Sequence, residues 1–279
     1  MKLILSRKGF DSSFGGCASP IFEDGSFLSL PIPEPSAQMT FSKIRGDRPV
    51  GKIVEDLTNG GVKPDAGVHL DPDLRKDSLE REAGWRPLFG QAMAAQEHLA
   101  LQLVDQGDLF LFFGWFRRAE EHNCKFRFVR GAPDLHMFFG WLEVGEIWRL
   151  PKDRDQVPAW AAEHPHVTAS DTDRSYRSNT IYVSPENGEF GAGTFRSHSD
   201  QLVLTQLGKS RSRWRLPRWF ESANKSSELT YHSNPKRWDR DESFVYLQTV
   251  ARGQEFVLDT DRYPEARGWA NALIAENAA

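Results

Sequence analysis

His69-Leu70-Asp71-Pro72-Asp73 sets an imidazole and two carboxylates at alternate positions. A residue before proline is held to extended geometry. Alternation along an extended segment then puts His69, Asp71 and Asp73 on one face, with Leu70 and Pro72 on the other. Such a trio suits acid–base work or a divalent ion. The plain alternative is a solvated loop in which Asp73 caps a short helix starting at Leu74. A second cluster, Ser6-Arg7-Lys8-Gly9-Phe10-Asp11-Ser12-Ser13-Phe14-Gly15-Gly16, carries a strand into a glycine-bearing loop. Backbone N–H groups there, with Arg7 or Lys8, would hold an anion such as phosphate. The plain alternative is a surface turn closed by Asp11 and the serines. Neither the Walker spacing nor the three-glycine dinucleotide fingerprint is present.

Other segments carry weaker chemistry. Gln91, Gln96 and His98 fall in one apolar-periodic stretch. Gln91 and His98, seven apart, would share a helix face. A glutamine both donates and accepts, so it can orient a base or a ribose; a solvated helix flank is the alternative. Lys209–Trp219 holds five basic residues, two tryptophans and no acid. On a strand, Arg211, Arg213 and Arg215 share a face, and with Trp214 they would suit a nucleic-acid backbone and its bases. Alternatively the tryptophans pack and the arginines pair with acids. His164-Pro165-His166 brackets a proline with two imidazoles, and Glu189 and His198 flank a glycine-rich turn; none is given a role. No metal ligand set is assigned and the cofactor is left unknown. There is no Gly-x-Ser-x-Gly elbow, no His-Glu-x-x-His, and no catalytic-thiol signature around Cys17.

The elements that must position these groups read as α+β: a mixed or antiparallel sheet or partial barrel with a few flanking helices. Lys2–Leu5 reads as a strand, and Ser26–Leu30 as a second after the Asp24-Gly25 turn. Residues 41–84 show no strong period. Leu88, Ala92, Ala95, Leu99 and Leu103 form one stripe, predicting a helix over 88–105 closed by Gly107. Asp108–Phe116, Cys124–Val129 and His136–Ile147 read as strands, followed by shorter ones at Ile181–Val183, Gln201–Leu204, Phe244–Thr249 and Glu255–Leu258. Pro264–Glu276 reads as a closing helix. No linker or repeat divides the 279 residues, so one integrated domain over 1–279 is expected.

Composition narrows the classes. Hydrophobic residues make up 39% and charged ones 27%, which excludes wholesale disorder. A net charge of −4 excludes a general polycation, so contact with nucleic acid needs a local patch. Two cysteines are too few for a disulfide framework. No apolar run approaches the roughly 20 residues of a membrane helix, and the start is too short for a signal-peptide core. A cytoplasmic protein without membrane partners is expected.

Two resemblances sharpen the reading. Gly107–Trp115, followed by Phe138–Gly145, resembles the rhythm of PUA-like barrels and their ASCH and EVE relatives. That resemblance implies a β core around 107–150 that reads a base, with Trp115 and Trp141 flanking it. Four segments together (Ile4–Ser12; Ser19-Pro20-Ile21 with Leu30-Pro31-Ile32-Pro33; His69–Asp73; Gly107–Arg117) resemble the nucleotide modification associated domain 3 family of bacteria and phages, over at least residues 1–150. That family implies the making or handling of modified bases; no catalytic assignment transfers with it. It does favour a site role for the polar groups of the first and third segments.

The expectation is therefore an enzyme, of transferase type, that modifies a nucleotide or a base in DNA. Asp11, His69, Asp71 and Asp73 would supply the chemistry, and Ser6, Arg7, Lys8, Gln91 and His98 would bind substrate. Arg211, Arg213, Arg215 and Trp214 would bind nucleic acid, and other proteins of a base-modification system would be partners. Arg7 or Lys8 is expected to touch an acid of the His69–Asp73 segment. The alternatives are a PUA-like reader with an aromatic cage, or a structural subunit of a modification complex.

Overall fold

The computed structural model describes residues 1–221, 228–250 and 253–279. The strands run β1 (Lys2–Arg7), β2 (Ser19–Ile21), β3 (Leu88–Gln91), β4 (Leu109–His122), β5 (Lys125–Phe128), β6 (Leu135–Glu143) and β7 (Glu146–Arg149). They continue with β8 (Thr180–Val183), β9 (Ala192–Thr194), β10 (Arg213–Pro217), β11 (Trp238–Arg240), β12 (Phe244–Gln248) and β13 (Glu255–Asp259). The helices are α1 (Val50–Leu57), α2 (Met93–Leu101), α3 (Pro165–Thr168) and α4 (Glu265–Asn277), with short 3-10 turns between. This is an α+β architecture dominated by mixed and antiparallel sheet.

Strand β4 is the spine. Leu109 to Gly114 is buried throughout, as expected of a strand covered on both faces. The main sheet runs β13-β1-β4-β6-β9, and β2 and β5 join the far end of β4. β1 and β2 lie parallel to β4, whereas β6 and β13 pair antiparallel with their neighbours. Two three-stranded sheets, β10-β12-β11 and β3-β8-β7, flank it. Among the described residues the strands close no barrel, so the PUA-like rhythm over 107–150 corresponds to an open sheet. The core gathers Phe89, Phe110, Phe112 and Tyr182 on one side of β4, and Phe113, Trp214 and Phe256 around its middle. No described helix is long and apolar enough to cross a membrane.

Three local expectations are corrected. Leu88–Gln91 is a strand paired with β8, and the helix begins only at Met93. The apolar stripe misleads because Gly90 and its neighbours satisfy their backbone in the ladder, while Leu101 and Leu103 are 78% and 75% exposed. Ser26–Leu30 forms only a single bridge, Ile21 to Phe27, and Gln201–Leu204 only one from Val203 to Met137. Conversely, α1 lies in a stretch that shows little pattern overall. It buries Val50, Ile53, Val54 and Leu57, a helical period compressed into eight residues.

Candidate active site

The carboxyl ends of β1, β3 and β12 open into one cleft. It has a polar compartment of about 490 Å³ and a larger one of about 1000 Å³. His69, Gln91 and His166 line both. The polar compartment is bounded by Arg7, Asp11, Asp71, Trp115, His136 and Arg211. The larger one is bounded by Pro33, Glu34, Ala92, His98, Tyr176 and Tyr231. The loop after β1 and the His69–Asp71 segment thus meet across this cleft.

Asp71 stands at the join. Its Oδ1 accepts the Gly90 N–H at 2.7 Å and faces His164 Nε2 at 3.3 Å. Its Oδ2 lies 3.8 Å from His69 Nε2 and 3.9 Å from His166 Nε2. Burial alone would raise the Asp71 pKa, but the surrounding imidazoles outweigh it and hold the carboxyl well below the usual range. Burial likewise opposes a charge on His69, yet Asp71 and Glu34 outweigh it and raise His69 to about 9. His69 Nδ1 meets Glu34 Oε2 at 2.6 Å, and Tyr176 donates to both Glu34 oxygens at 3.3 Å. Burial drops His166 to about 3, so it is neutral. Its Nδ1 meets Asn179 Oδ1 at 2.6 Å. A methyl group on Gly90 would lie 2.2 Å from the His166 ring, so this close approach requires glycine.

Arg7 carries the charge of the polar compartment. Among the described residues its guanidinium makes no hydrogen bond or ion pair. Burial lowers its pKa; Asp11 opposes this and Arg211 adds to it. An arginine keeps its proton regardless. Arg211 lies over the Trp115 ring at 4.0 Å, also with no carboxylate partner among the described residues. Two guanidiniums without ion pairs among the described residues, in one concavity, would attract an anion.

A family model described as nucleotide modification associated domain 3 matches residues 2–259. The chain belongs to that family. No curated protein and no solved structure matches it. The family's description ties the chain to nucleotide modification, and the match runs from β1 to the end of β13, so every strand bounding the cleft falls within it.

Within this nucleotide modification associated domain, several expected residues sit elsewhere. Asp73 faces away from the cleft, gripped by Arg81 Nη1 at 2.7 Å and Nη2 at 2.5 Å. Its backbone pairs with Leu88, which fixes the turn away from His69 and Asp71. Ser6 is fully buried in the sheet, out of reach of a substrate. Lys8 touches no acid of the His69–Asp73 segment; it pairs with buried Glu255 at 2.9 Å. Gln91 donates to the same Glu255 at 2.5 Å, so both are tethered, and Gln91 is on a strand rather than a helix. Asp11 spends one oxygen on the Ser13 and Phe14 N–H groups, closing its own turn. The His98 ring packs tilted against Tyr231 at 4.6 Å and bonds Thr230, on the wall of the larger compartment. Gln96 is a core residue, accepting from Tyr182.

Of the basic side chains in this stretch, Arg211 is the one that lines the described cleft. Arg213 pairs with Asp239, and Arg215 lies over Phe244 at 4.9 Å. Trp214 is fully buried, donating to His136 at 2.9 Å, so it cannot meet a base. Trp141 is also buried, with its Nε1 on the Phe190 carbonyl, and forms no cage with Trp115. His166 and Glu34, which line the cleft, and Asn179, buried against His166, are among the residues that sequence reasoning left without a role. The His164-Pro165-His166 pair was the one visible signal; its partner segment lies almost a hundred positions earlier.

Proposed function

We propose that the chain binds a nucleotide, free or within DNA, in this cleft and chemically modifies its base. The phosphate lies against Arg7 and Arg211. The base occupies the larger compartment beside His98 and Tyr231, and His69, Asp71 and His166 reach it from the join. The observation that carries this reading is the pair of guanidiniums without carboxylate partners, set in the same concavity as a buried carboxylate ringed by imidazoles. A structural arginine is ordinarily paired, as Arg81 is with Asp73; an unpaired one in a concavity favours an anionic ligand. Other proteins of a base-modification system would supply or consume the co-reactant.

The test has two arms. Calorimetric titration with deoxynucleoside monophosphates should show binding that Arg7→Gln and Arg211→Gln each weaken about 10- to 100-fold, the value of a charged hydrogen bond. Mass spectrometry of nucleosides from cells expressing the chain with its neighbouring genes should show a modified base that His166→Ala abolishes. Nucleosides identical with wild type and His166→Ala would overturn the catalytic reading, and equal nucleotide affinity across the arginine variants would overturn the binding one.

A further inference from the structure

We propose that His69, Asp71 and His166 form a binding site for one divalent first-row transition-metal ion. The inference goes beyond the reading above, and it is decided without any nucleotide.

The three groups offer atoms that all lie within 4.8 Å of one another. The two Nε2 atoms sit 3.8 and 3.9 Å from Asp71 Oδ2, beyond hydrogen-bond length. No shared proton closes that gap. Ligands bonded to such a metal at about 2.0–2.2 Å stand roughly 3–3.5 Å apart, so modest contraction completes the site.

The rings are oriented for it. Asn179 Nδ2 donates to the His166 carbonyl at 2.7 Å, which fixes the amide and makes its Oδ1 the acceptor facing His166 Nδ1. His166 therefore carries its proton on Nδ1 and turns a bare electron pair from Nε2 toward Asp71. Glu34 accepts from His69 Nδ1 in the same way. Carboxylate or amide partners on the far nitrogen are the usual support of a metal-bound imidazole. Asp71 Oδ1 is occupied by the Gly90 N–H, leaving Oδ2 for the shared point. His166 Nε2 turns a bare electron pair on a carboxylate oxygen in a buried place, and a cation between the two removes that repulsion. His164, on Oδ1, is a positioning residue. Two imidazoles and one carboxylate on an open cleft leave coordination positions for water or substrate, a donor set that suits iron(II) or zinc.

The experiment begins with elemental analysis of the purified full chain. The stripped protein is then titrated anaerobically with cobalt(II), read by its visible absorption and by competition with a chelator. Wild type should take up one ion per chain. His69→Ala and His166→Ala should lose it; Glu34→Gln and Asn179→Ala should bind about 10- to 100-fold more weakly. Asp11→Asn, a cleft carboxylate outside the cluster, should bind as wild type. Circular dichroism identifies the variants that fold, and the wild-type titration stands whether or not they do. No uptake by wild type, or equal uptake by folded His69→Ala or His166→Ala, would overturn the site. Iron or zinc in the protein as isolated identifies the resident metal.

Discussion

Asp71 and Asp73 are two positions apart, similarly buried at 8% and 6% exposure, and end in opposite circumstances. Behind the cleft, Asp73 is matched oxygen for nitrogen by Arg81, whose Nη2 also donates to the Arg75 carbonyl and Ser78. Nothing there asks for a ligand. On the cleft wall, Asp71 receives one N–H and is otherwise faced by imidazoles whose far nitrogens are committed elsewhere. The Lys8–Glu255 pair stands between the two: Oε1 of the buried Glu255 is met by Lys8 and Gln91, while Oε2 has no hydrogen-bond partner among the described residues. Where the protein completes its own charges it is building structure; where it gathers donors and leaves them incomplete, it is building a site.

The largest expected effect tests the complete side. Arg81→Ala leaves Asp73 buried without its partner and should cost about 3–5 kcal/mol, read as a shift in urea midpoint. Asp71→Asn keeps an acceptor for the Gly90 N–H and leaves no unmatched carboxylate in the interior, so it should cost less than Arg81→Ala, while abolishing cobalt uptake. If Asp71→Asn destabilised as much as Arg81→Ala, the two carboxylates would be alike and the contrast would fail. Next in size is Gly90→Ala. The added methyl meets the His166 ring at 2.2 Å, so the ring must move. A loss of about 1–3 kcal/mol is expected from such overpacking, together with lost cobalt uptake. Unchanged uptake would show that the ring's place on Gly90 does not matter.

The sequence discloses the strands by composition: Leu109–Phe116 has little but apolar residues to offer a sheet, and β1, β13 and α4 follow the same logic. It also discloses that the loop after β1 and the His69 segment hold unusual polar density. It misplaces Asp73, because alternation cannot foresee an arginine eight residues later that matches the carboxylate better than solvent does. It misreads Leu88–Gln91, because a four-residue ladder with β8, ninety positions away, overrides a helical stripe. And it leaves out His166, whose value depends on lying over Gly90 with Asn179 behind it, three segments that only tertiary packing brings together.

His136 offers a third way of handling a buried group, and with it the subtlest test. Its Nδ1 accepts from Trp214 Nε1 at 2.9 Å, as a neutral ring must. Burial first, then the charges of Arg211 and Arg7, lower its pKa to about 3 from 6.5. The unfolded chain therefore takes up a proton near pH 6.5 that the folded chain refuses until about pH 3. Stability from this group is fully present above pH 6.5 and falls by about 1.4 kcal/mol per pH unit below it. His232, lowered to about 4, adds in the same sense. In denaturation at pH 7, 6 and 5, His136→Asn should show a shallower loss than wild type by about that slope. Because part of the shift comes from Arg7 and Arg211, an anion held between them should offset their charge and raise the folded pKa. Saturating phosphate should then move the acid end of the wild-type profile, where the folded ring takes up its proton, from about pH 3 to higher pH, a shift absent from His136→Asn. An acid end indifferent to phosphate would mean that the two arginines hold no anion beside His136, and would move Arg7 and Arg211 to the side of Asp73 and Arg81, where charge serves only the fold.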